Sequence, residues 1–158
     1  MKKPIRLLVV DDHPLVRKCV NMRLARNQQI EVVGEAADGD EAIRQARELQ
    51  PDVALIDIDM PRIDGLAAAK VLQREFPKIK VLILSTQSGS DFVLRIIQSG
   101  ARGFVLKEAL IDELVCAIET VNAGDAYFSD DVARIAMNQL VRNRREAIVA
   151  PQVTSRER

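Results

Sequence analysis

Short apolar runs recur along the chain at a regular spacing. They are Ile5–Val10, Ile30–Val33, Val53–Ile56, Val81–Leu84 and Phe104–Leu106. Neighbouring runs lie roughly 25 residues apart, which is the length of one strand, one helix and two loops. The first, third and fourth runs are almost continuously apolar, as expected for parallel strands that are buried on both faces.

Between these runs, apolar residues recur with the helical period. The pattern predicts five helices, at about Pro14–Arg26, Asp40–Leu49, Gly65–Phe76, Asp91–Ser99 and Leu110–Ala123. Gly100 and Gly124 stand where helices should end. Five βα units in succession predict an α/β fold, a flavodoxin-like doubly wound parallel sheet with helices on both faces. The common strand order for such a sheet is 2-1-3-4-5.

After Gly124 the alternation of strands and helices ends. Ser129 is suited to cap a sixth helix, which the pattern places from about Asp130 to Glu146. Residues 147–152 look like a linker, with Pro151 as a helix breaker. The sequence therefore predicts one α/β domain followed by a linker helix.

Composition and charge exclude several classes of protein. Lys and Arg together number 23 and so do Asp and Glu, so no overall charge attracts nucleic acid or an anionic membrane. The first apolar run contains Arg6 and stops at Asp11, which is too early for a signal peptide. No run approaches the length of a membrane span. We expect a cytoplasmic protein with no membrane partner.

The two cysteines fit a reducing compartment. Cys19 falls within the apolar stripe of its helix, with Leu15 and Val20, and is expected to face the core. Cys116 falls outside the stripe of the fifth helix and is expected to face solvent. A structural disulfide is therefore not expected, and a single His leaves too few ligands for a zinc site.

Carboxylates gather where the predicted strands end. Asp11 and Asp12 follow strand 1, and Asp57 ends strand 3. Strands 1 and 3 are neighbours in the order 2-1-3-4-5, at the point where strand order reverses and ligands bind. Ser85 ends strand 4 and Lys107 ends strand 5 on the same rim. The fold therefore predicts one site that holds all five residues.

This combination of side chains points to phosphoryl transfer. Three carboxylates would repel one another, and a hard divalent cation such as Mg²⁺ relieves that repulsion. Asp57 would be the nucleophile, while Mg²⁺ and Lys107 would neutralise charge on the phosphoryl oxygens. Ser85 would donate a hydrogen bond.

Simpler roles remain open for some of these residues. The Asp pair could cap the helix that begins at Pro14, and Asp57 could be a turn residue. His13 is interpreted as a loop residue, and Phe104 could be an ordinary strand residue.

Four motifs, VVDDHP, LIDIDMPRIDG, VLILST and GFVLK, resemble in order and spacing the receiver domain of two-component response regulators. The resemblance covers about residues 5–123. It implies that Asp57 accepts phosphate from the phosphohistidine of a sensor histidine kinase. It also implies that Asp11, Asp12 and Asp57 bind Mg²⁺ together with the backbone carbonyl of Asp59.

The same resemblance assigns roles on the other side of the site. Ser85 and Lys107 match the hydroxyl and the lysine of the family, and Phe104 matches its aromatic switch position. The family is a phosphoacceptor that catalyses its own phosphotransfer and dephosphorylation, not an enzyme in the usual sense. The resemblance leaves open whether a homodimer forms on phosphorylation. Leu94, just off the core stripe of the fourth helix, is a candidate for an exposed hydrophobic contact surface.

The details most resemble the NarL/LuxR-type branch. Glu108 follows Lys107 where many receivers have Pro, and DDHPLVRK and AGDAYFS are similar to that branch. Its members carry a helix-turn-helix output domain, and Thr154 and Glu157 have the spacing of a capping box that opens a helix. We therefore predict a receiver domain at 1–124, a linker helix at 125–150 and a stub of the output domain at 151–158. DNA would be bound only through the missing output domain.

Two other classes of protein share parts of this pattern. The D-x-D of Asp57 and Asp59 resembles the haloacid-dehalogenase phosphatases, but those enzymes place the motif after their first strand, not their third. A flavodoxin-like cofactor binder would need phosphate-cradling glycines after strand 1, whereas Asp11 and Asp12 repel phosphate unless a metal intervenes.

Overall fold

Five parallel strands form one sheet in the order β2-β1-β3-β4-β5. The structure is a computed structural model that describes residues 3–59, 65–86, 89–128 and 130–149. The strands are β1 (Ile5–Val10), β2 (Ile30–Ala36), β3 (Val53–Asp57), β4 (Lys80–Ser85) and β5 (Gly103–Leu106). The predicted class and strand order are confirmed.

Helices connect the strands as predicted, with ends that differ by up to three residues. They are α1 (Pro14–Leu24), α2 (Gly39–Leu49), α3 (Gly65–Glu75), α4 (Ser90–Gln98), α5 (Leu110–Asn122) and α6 (Asp130–Val149). A 3-10 turn at Lys107–Ala109 leads from β5 into α5. Gly100 and Gly124 have φ angles of 89° and 96°, so both adopt the left-handed conformation that ends a helix without strain.

The core lies on both faces of the sheet. Alternate residues of β1 point to opposite faces, so Leu7 and Leu8 belong to different hydrophobic clusters. One cluster is covered by α2, α3, α4 and α6, and the other by α1 and α5. Burial on both faces explains why the strands read as continuous apolar runs.

The segment after α5 returns to the edge of the sheet. Tyr127 lies beside β5, where its carbonyl accepts a hydrogen bond from the amide of Phe104 at 2.9 Å. Its hydroxyl donates to Glu113 Oε1 at 2.5 Å. Burial together with this hydrogen bond raises the pKa of Tyr127. The polypeptide is therefore tied to the sheet immediately before α6 begins.

The sixth helix packs against α4, and Val132 and Ala136 join the same cluster as Val93 and Ile96. Leu94 is 7% exposed. The expectation that Leu94 contributes to an exposed hydrophobic contact surface is wrong, because α4 is covered by α6 as well as by the sheet.

The two cysteines are both exposed and unpaired. The expectation for Cys116 is confirmed, but the inward orientation predicted for Cys19 is wrong. Helix α1 buries Val20 and Leu24, whereas Leu15 is 71% exposed. The buried stripe is thus rotated away from Leu15 and Cys19.

None of the helices that the structure describes has the length and apolar character needed to cross a membrane. Ser129, Pro151, Thr154 and Glu157 lie outside the described residues. The prediction that the linker begins with residues 147–149 is wrong, because these residues belong to α6. The predicted cap of α6, the remainder of the linker and the division into 1–124, 125–150 and 151–158 stay predictions.

Candidate functional site

The carboxyl ends of four strands deliver the predicted site residues to one place. Val10 pairs with Ile56, so Asp11 follows β1 directly beside Asp57 at the end of β3. Asp11 and Asp57 are 1% and 0% exposed. Such complete burial of two neighbouring carboxylates is costly unless other groups compensate their charge.

We call Asp11, Asp12 and His13 the acid side of the site. Within the described part of the chain, one oxygen of Asp11, Oδ2, is buried and accepts no hydrogen bond. The other, Oδ1, accepts from the His13 amide at 2.7 Å. Burial raises the pKa of Asp11 to about 6, with a further contribution from Asp57, although the His13 amide opposes the shift.

The ring of His13 lies over these carboxylates. Its Nδ1 is 2.9 Å from Asp12 Oδ1, 3.3 Å from Asp11 Oδ1 and 3.9 Å from Asp57 Oδ2. Asp12 Oδ1 is close to the ring but not aligned for a hydrogen bond. His13 lies in the loop between β1 and α1, as interpreted from the sequence, but its close approach to three carboxylates was not foreseen.

The capping role considered for the Asp pair finds no support. His13, not an aspartate, is the N-cap residue of α1, and no side-chain hydrogen bond caps the helix. The ligand atoms of Asp11, Asp12, His13 and Asp57 all lie within 4.8 Å of one another. The three carboxylates of this group, with an unpartnered buried oxygen on Asp11, fit a hard divalent cation.

We call Ser85, Thr86 and Lys107 the donor side of the site. Lys107 Nζ donates to Asp57 Oδ2 at 2.9 Å and lies 3.4 Å from Asp59 Oδ2. Burial by itself would lower the pKa of Lys107, but its hydrogen bond to Asp57 and the negative charges of Asp57, Asp59 and Asp11 together outweigh that effect, so the pKa is raised. Lys107 is therefore a firmly protonated cation against the buried carboxylate.

The side chain of Asp59 binds the donor side. Its Oδ1 accepts from Ser85 Oγ at 3.0 Å, and its Oδ2 accepts from the Thr86 amide at 2.8 Å and from Thr86 Oγ1 at 3.1 Å. Burial would raise the pKa of Asp59, but these hydrogen bonds and Lys107 lower it below its ordinary value.

This carboxylate was missed, since the resemblance gave Asp59 only a backbone carbonyl. The metal contact of that carbonyl stays a prediction. Asp57 Oδ1 accepts from the Asp59 amide at 2.8 Å. The available signal was the position of Asp59, two residues beyond Asp57, because β3 lies beside β4, whose last residue is Ser85.

The aromatic residue predicted as a switch is buried next to α4. Phe104 is 2% exposed and contacts Phe92 edge to face, with ring centroids 6.5 Å apart and planes inclined by 71°. Phe104 pairs with Ile83 in the sheet, two residues before Ser85. Phe104 therefore contacts α4 directly, and Ser85 lies two residues beyond its pairing partner on β4.

A parallel sheet in this order, with buried carboxylates, a hydroxyl and a lysine at its carboxyl edge, defines a receiver domain. The family model for the response regulator receiver domain matches residues 7–119, and the chain belongs to this family. The family resemblance seen in the sequence is confirmed. Neither alternative class, phosphatase or flavin-type binder, is supported.

Known relatives support the family. The response regulator GacA of Pseudomonas viridiflava is 45% identical over 130 residues, which cover 82% of this chain and 61% of that protein. The transcriptional regulatory protein LiaR of Bacillus subtilis is 35% identical over 153 residues, covering 97% of this chain and 72% of that protein. The chain thus spans about three fifths of the length of the GacA relative.

Solved structures agree. A LuxR-family response regulator from Aurantimonas sp. SI85-9A1 superposes with a TM-score of 0.80 at 36% identity, covering 87% of this chain and 99% of that one. The signal receiver domain of the putative response regulator NarL from Mycobacterium tuberculosis gives a TM-score of 0.73 at 36% identity, with 78% and 99% covered. The chain is a receiver domain of the NarL/LuxR type.

Proposed function

We propose that Asp57 accepts a phosphoryl group from the phosphohistidine of a sensor histidine kinase. The observation that carries this proposal is the position of Asp57 between the two sides of the site. Its Oδ2 accepts a hydrogen bond from Lys107 at 2.9 Å, while its ligand oxygen lies within 4.8 Å of those of Asp11 and Asp12. A nucleophile between a cation-binding cluster and a protonated lysine is well placed for phosphoryl transfer.

The acid side would hold Mg²⁺. Carboxylate oxygens of Asp11, Asp12 and Asp57, with the backbone carbonyl of Asp59, are ligands of the type that Mg²⁺ prefers. The ion supplies positive charge that offsets the developing charge on the phosphoryl oxygens. The unpartnered Oδ2 of Asp11 supports this assignment, because a metal would give that atom a partner.

The transfer step makes one bond and breaks another. A carboxylate oxygen of Asp57 attacks phosphorus, and the phosphorus–nitrogen bond of the phosphohistidine breaks. The electron pair of that bond stays on the imidazole nitrogen. Lys107 and Ser85 would hold the phosphoryl oxygens by charge and by hydrogen bond. Attack of water on the same phosphorus would return Asp57, so the protein would catalyse its own phosphorylation and dephosphorylation.

Phosphorylation would then change the packing of α4. Ser85 would turn toward the phosphoryl group. Phe104, which pairs with the residue two positions before Ser85 on β4, would then change its packing against Phe92. Helix α6 packs on α4, so the change would reach the segment that leads out of the domain.

The output would be regulation of transcription. LiaR, which matches 97% of this chain, is named a transcriptional regulatory protein, which supports that output here. DNA binding would require an output domain beyond the described residues, and a homodimer that forms on phosphorylation remains part of the proposal. The cytoplasmic location stays a prediction.

The test is chemical labelling. Incubation with acetyl phosphate and Mg²⁺ should give a phosphate-sized mass gain that EDTA suppresses. Asp57→Asn should show no gain. Asp112→Asn, which removes an exposed carboxylate on α5, is the matched control and should label like the native protein. Full labelling of Asp57→Asn would rule out the assignment.

A further inference from the structure

The Asp59 carboxylate binds the same donors that the proposed reaction needs. Ser85 Oγ, the Thr86 amide and Thr86 Oγ1 all donate to it at 2.8 to 3.1 Å, and Lys107 Nζ lies 3.4 Å away. Hydroxyl, amide and ammonium donors that converge on one point form an anion-binding site. In the unphosphorylated protein this site is filled by Asp59.

We propose that the Asp59 carboxylate takes the place of the phosphoryl group before phosphorylation and competes with it afterwards. This inference rests on Asp57 being the phosphoacceptor. Asp59 is then a built-in regulator of the site, which sets how readily the domain accepts and keeps a phosphoryl group.

Hydrogen-bond counting makes the two anions mutually exclusive. The hydroxyl of Ser85 has one proton and the amide of Thr86 has one, so each strong hydrogen bond goes to Asp59 or to a phosphoryl oxygen. A phosphoryl group on Asp57 also places negative charge beside Asp59, which repels its carboxylate. Phosphorylation therefore has to displace Asp59 from the donor side.

Burial of the nucleophile supports the same conclusion. The side chain of Asp57 is 0% exposed, whereas those of Asp59 and Lys107 are 16% and 18% exposed. A phosphodonor cannot reach a carboxylate that solvent cannot reach. Groups around Asp57 must therefore move first. Lys107 Nζ is one of them, and it lies 2.9 Å from Asp57 Oδ2 and 3.4 Å from Asp59 Oδ2.

The competition can be measured at equilibrium with beryllofluoride, an analogue of a bound phosphoryl group. Titrate it at saturating Mg²⁺ into the native protein, Asp59→Asn and Asp59→Ala, and follow backbone amide resonances. Asp59→Asn removes the charge and keeps one acceptor, whereas Asp59→Ala removes both acceptors. We expect the affinity for beryllofluoride to rise in that order, by about tenfold for Asp59→Ala. The reason is that the apparent affinity of a ligand falls when part of the protein has its site blocked, here by the Asp59 carboxylate.

Asp112→Ala is the matched control, because it removes a carboxylate that is exposed on α5, and its affinity should equal that of the native protein. Equal or weaker beryllofluoride binding by both Asp59 variants would overturn the inference. Failure of the native protein to bind beryllofluoride at all would instead count against Asp57 as the phosphoacceptor.

Discussion

The acid side and the donor side of the site differ in how well their polar atoms are satisfied. On the acid side, Asp11 Oδ2 is buried without a hydrogen bond, and burial raises the pKa of Asp11 to about 6. On the donor side, Ser85 Oγ and the Thr86 amide both donate to Asp59 at 3.0 and 2.8 Å.

This difference shows what each side needs from outside. Unsatisfied carboxylate oxygens favour the entry of a cation. Donors that already hold an internal carboxylate gain nothing from an anion until that carboxylate leaves. The affinity for a metal ion should therefore depend on the carboxylates alone. The affinity for a phosphoryl group should depend on its competition with the Asp59 carboxylate for the donors.

Removal of one acid should have the largest effect. Asp12→Ala deletes a carboxylate of the cation-binding cluster, so Mg²⁺ affinity should fall on the order of 100-fold, at the upper end of the losses seen when groups around a metal are removed. Titration calorimetry measures it, with Asp112→Ala as the control. Unchanged Mg²⁺ affinity with a large loss of folding stability would instead mean that Asp12 has a structural role.

Neutralisation of Asp11 should stabilise the metal-free protein. The folded-state pKa, about 6, lies above the ordinary value of 3.8, so the native protein binds more protons between these pH values. The free energy of unfolding should therefore fall as pH rises from about 4 to 7. Asp11→Asn should lack this fall and be more stable at pH 7 by on the order of 2 kcal/mol.

Urea denaturation in EDTA at several pH values tests this prediction. The advantage of Asp11→Asn should vanish below about pH 3, where the carboxyl of Asp11 is protonated in both the folded and the unfolded protein. A native protein that is more stable than Asp11→Asn at pH 7 would mean that the acid side is satisfied by a partner within the chain.

Loss of Lys107 should spare the metal site and weaken the response. Lys107 Nζ donates to Asp57 Oδ2 at 2.9 Å and is a cation, so it cannot itself be a ligand of Mg²⁺. For Lys107→Ala, the beryllofluoride-induced protection of α4 and β5 from hydrogen exchange should shrink to roughly half or less, with Mg²⁺ affinity kept. An unchanged exchange difference would exclude this role for Lys107.

His13 should have the smallest effect. Its side chain is 56% exposed, so water screens its interaction with the carboxylates. His13→Ala should change Mg²⁺ affinity by less than about threefold, which is the scale of a screened surface interaction. A tenfold fall in calorimetric titrations would make His13 a metal ligand, and the acid side would then need redefinition.

The sequence predicted the acid side and the sheet because both depend on strand order. The regular spacing of the apolar runs placed Asp11 and Asp57 at the ends of neighbouring strands, and the structure agrees. The role of the Asp59 side chain depends on a rotamer and on the turn after β3, which no periodicity encodes. The error at Cys19 has a similar origin. The apolar pattern of α1 shows that one face of the helix is buried, but it does not fix how the helix is rotated about its axis against the sheet.

The packing of α6 also could not be predicted in full. Its bounds were close, but the sequence did not show that Val132 and Ala136 are buried with residues of α4, or that the preceding segment is tied to β5 at Tyr127. A pattern along one helix does not reveal which other helix it covers. Leu94 was misjudged for the same reason.

The central claim is that the two sides of the site converge on Asp57, and direct mapping of the phosphoryl group tests it. After labelling with acetyl phosphate and Mg²⁺, borohydride reduction converts a phosphorylated aspartate to homoserine, which peptide mass spectrometry locates. We predict homoserine at position 57 and aspartate at 11, 12 and 59. Homoserine at position 11, 12 or 59, with position 57 unmodified, would contradict the account.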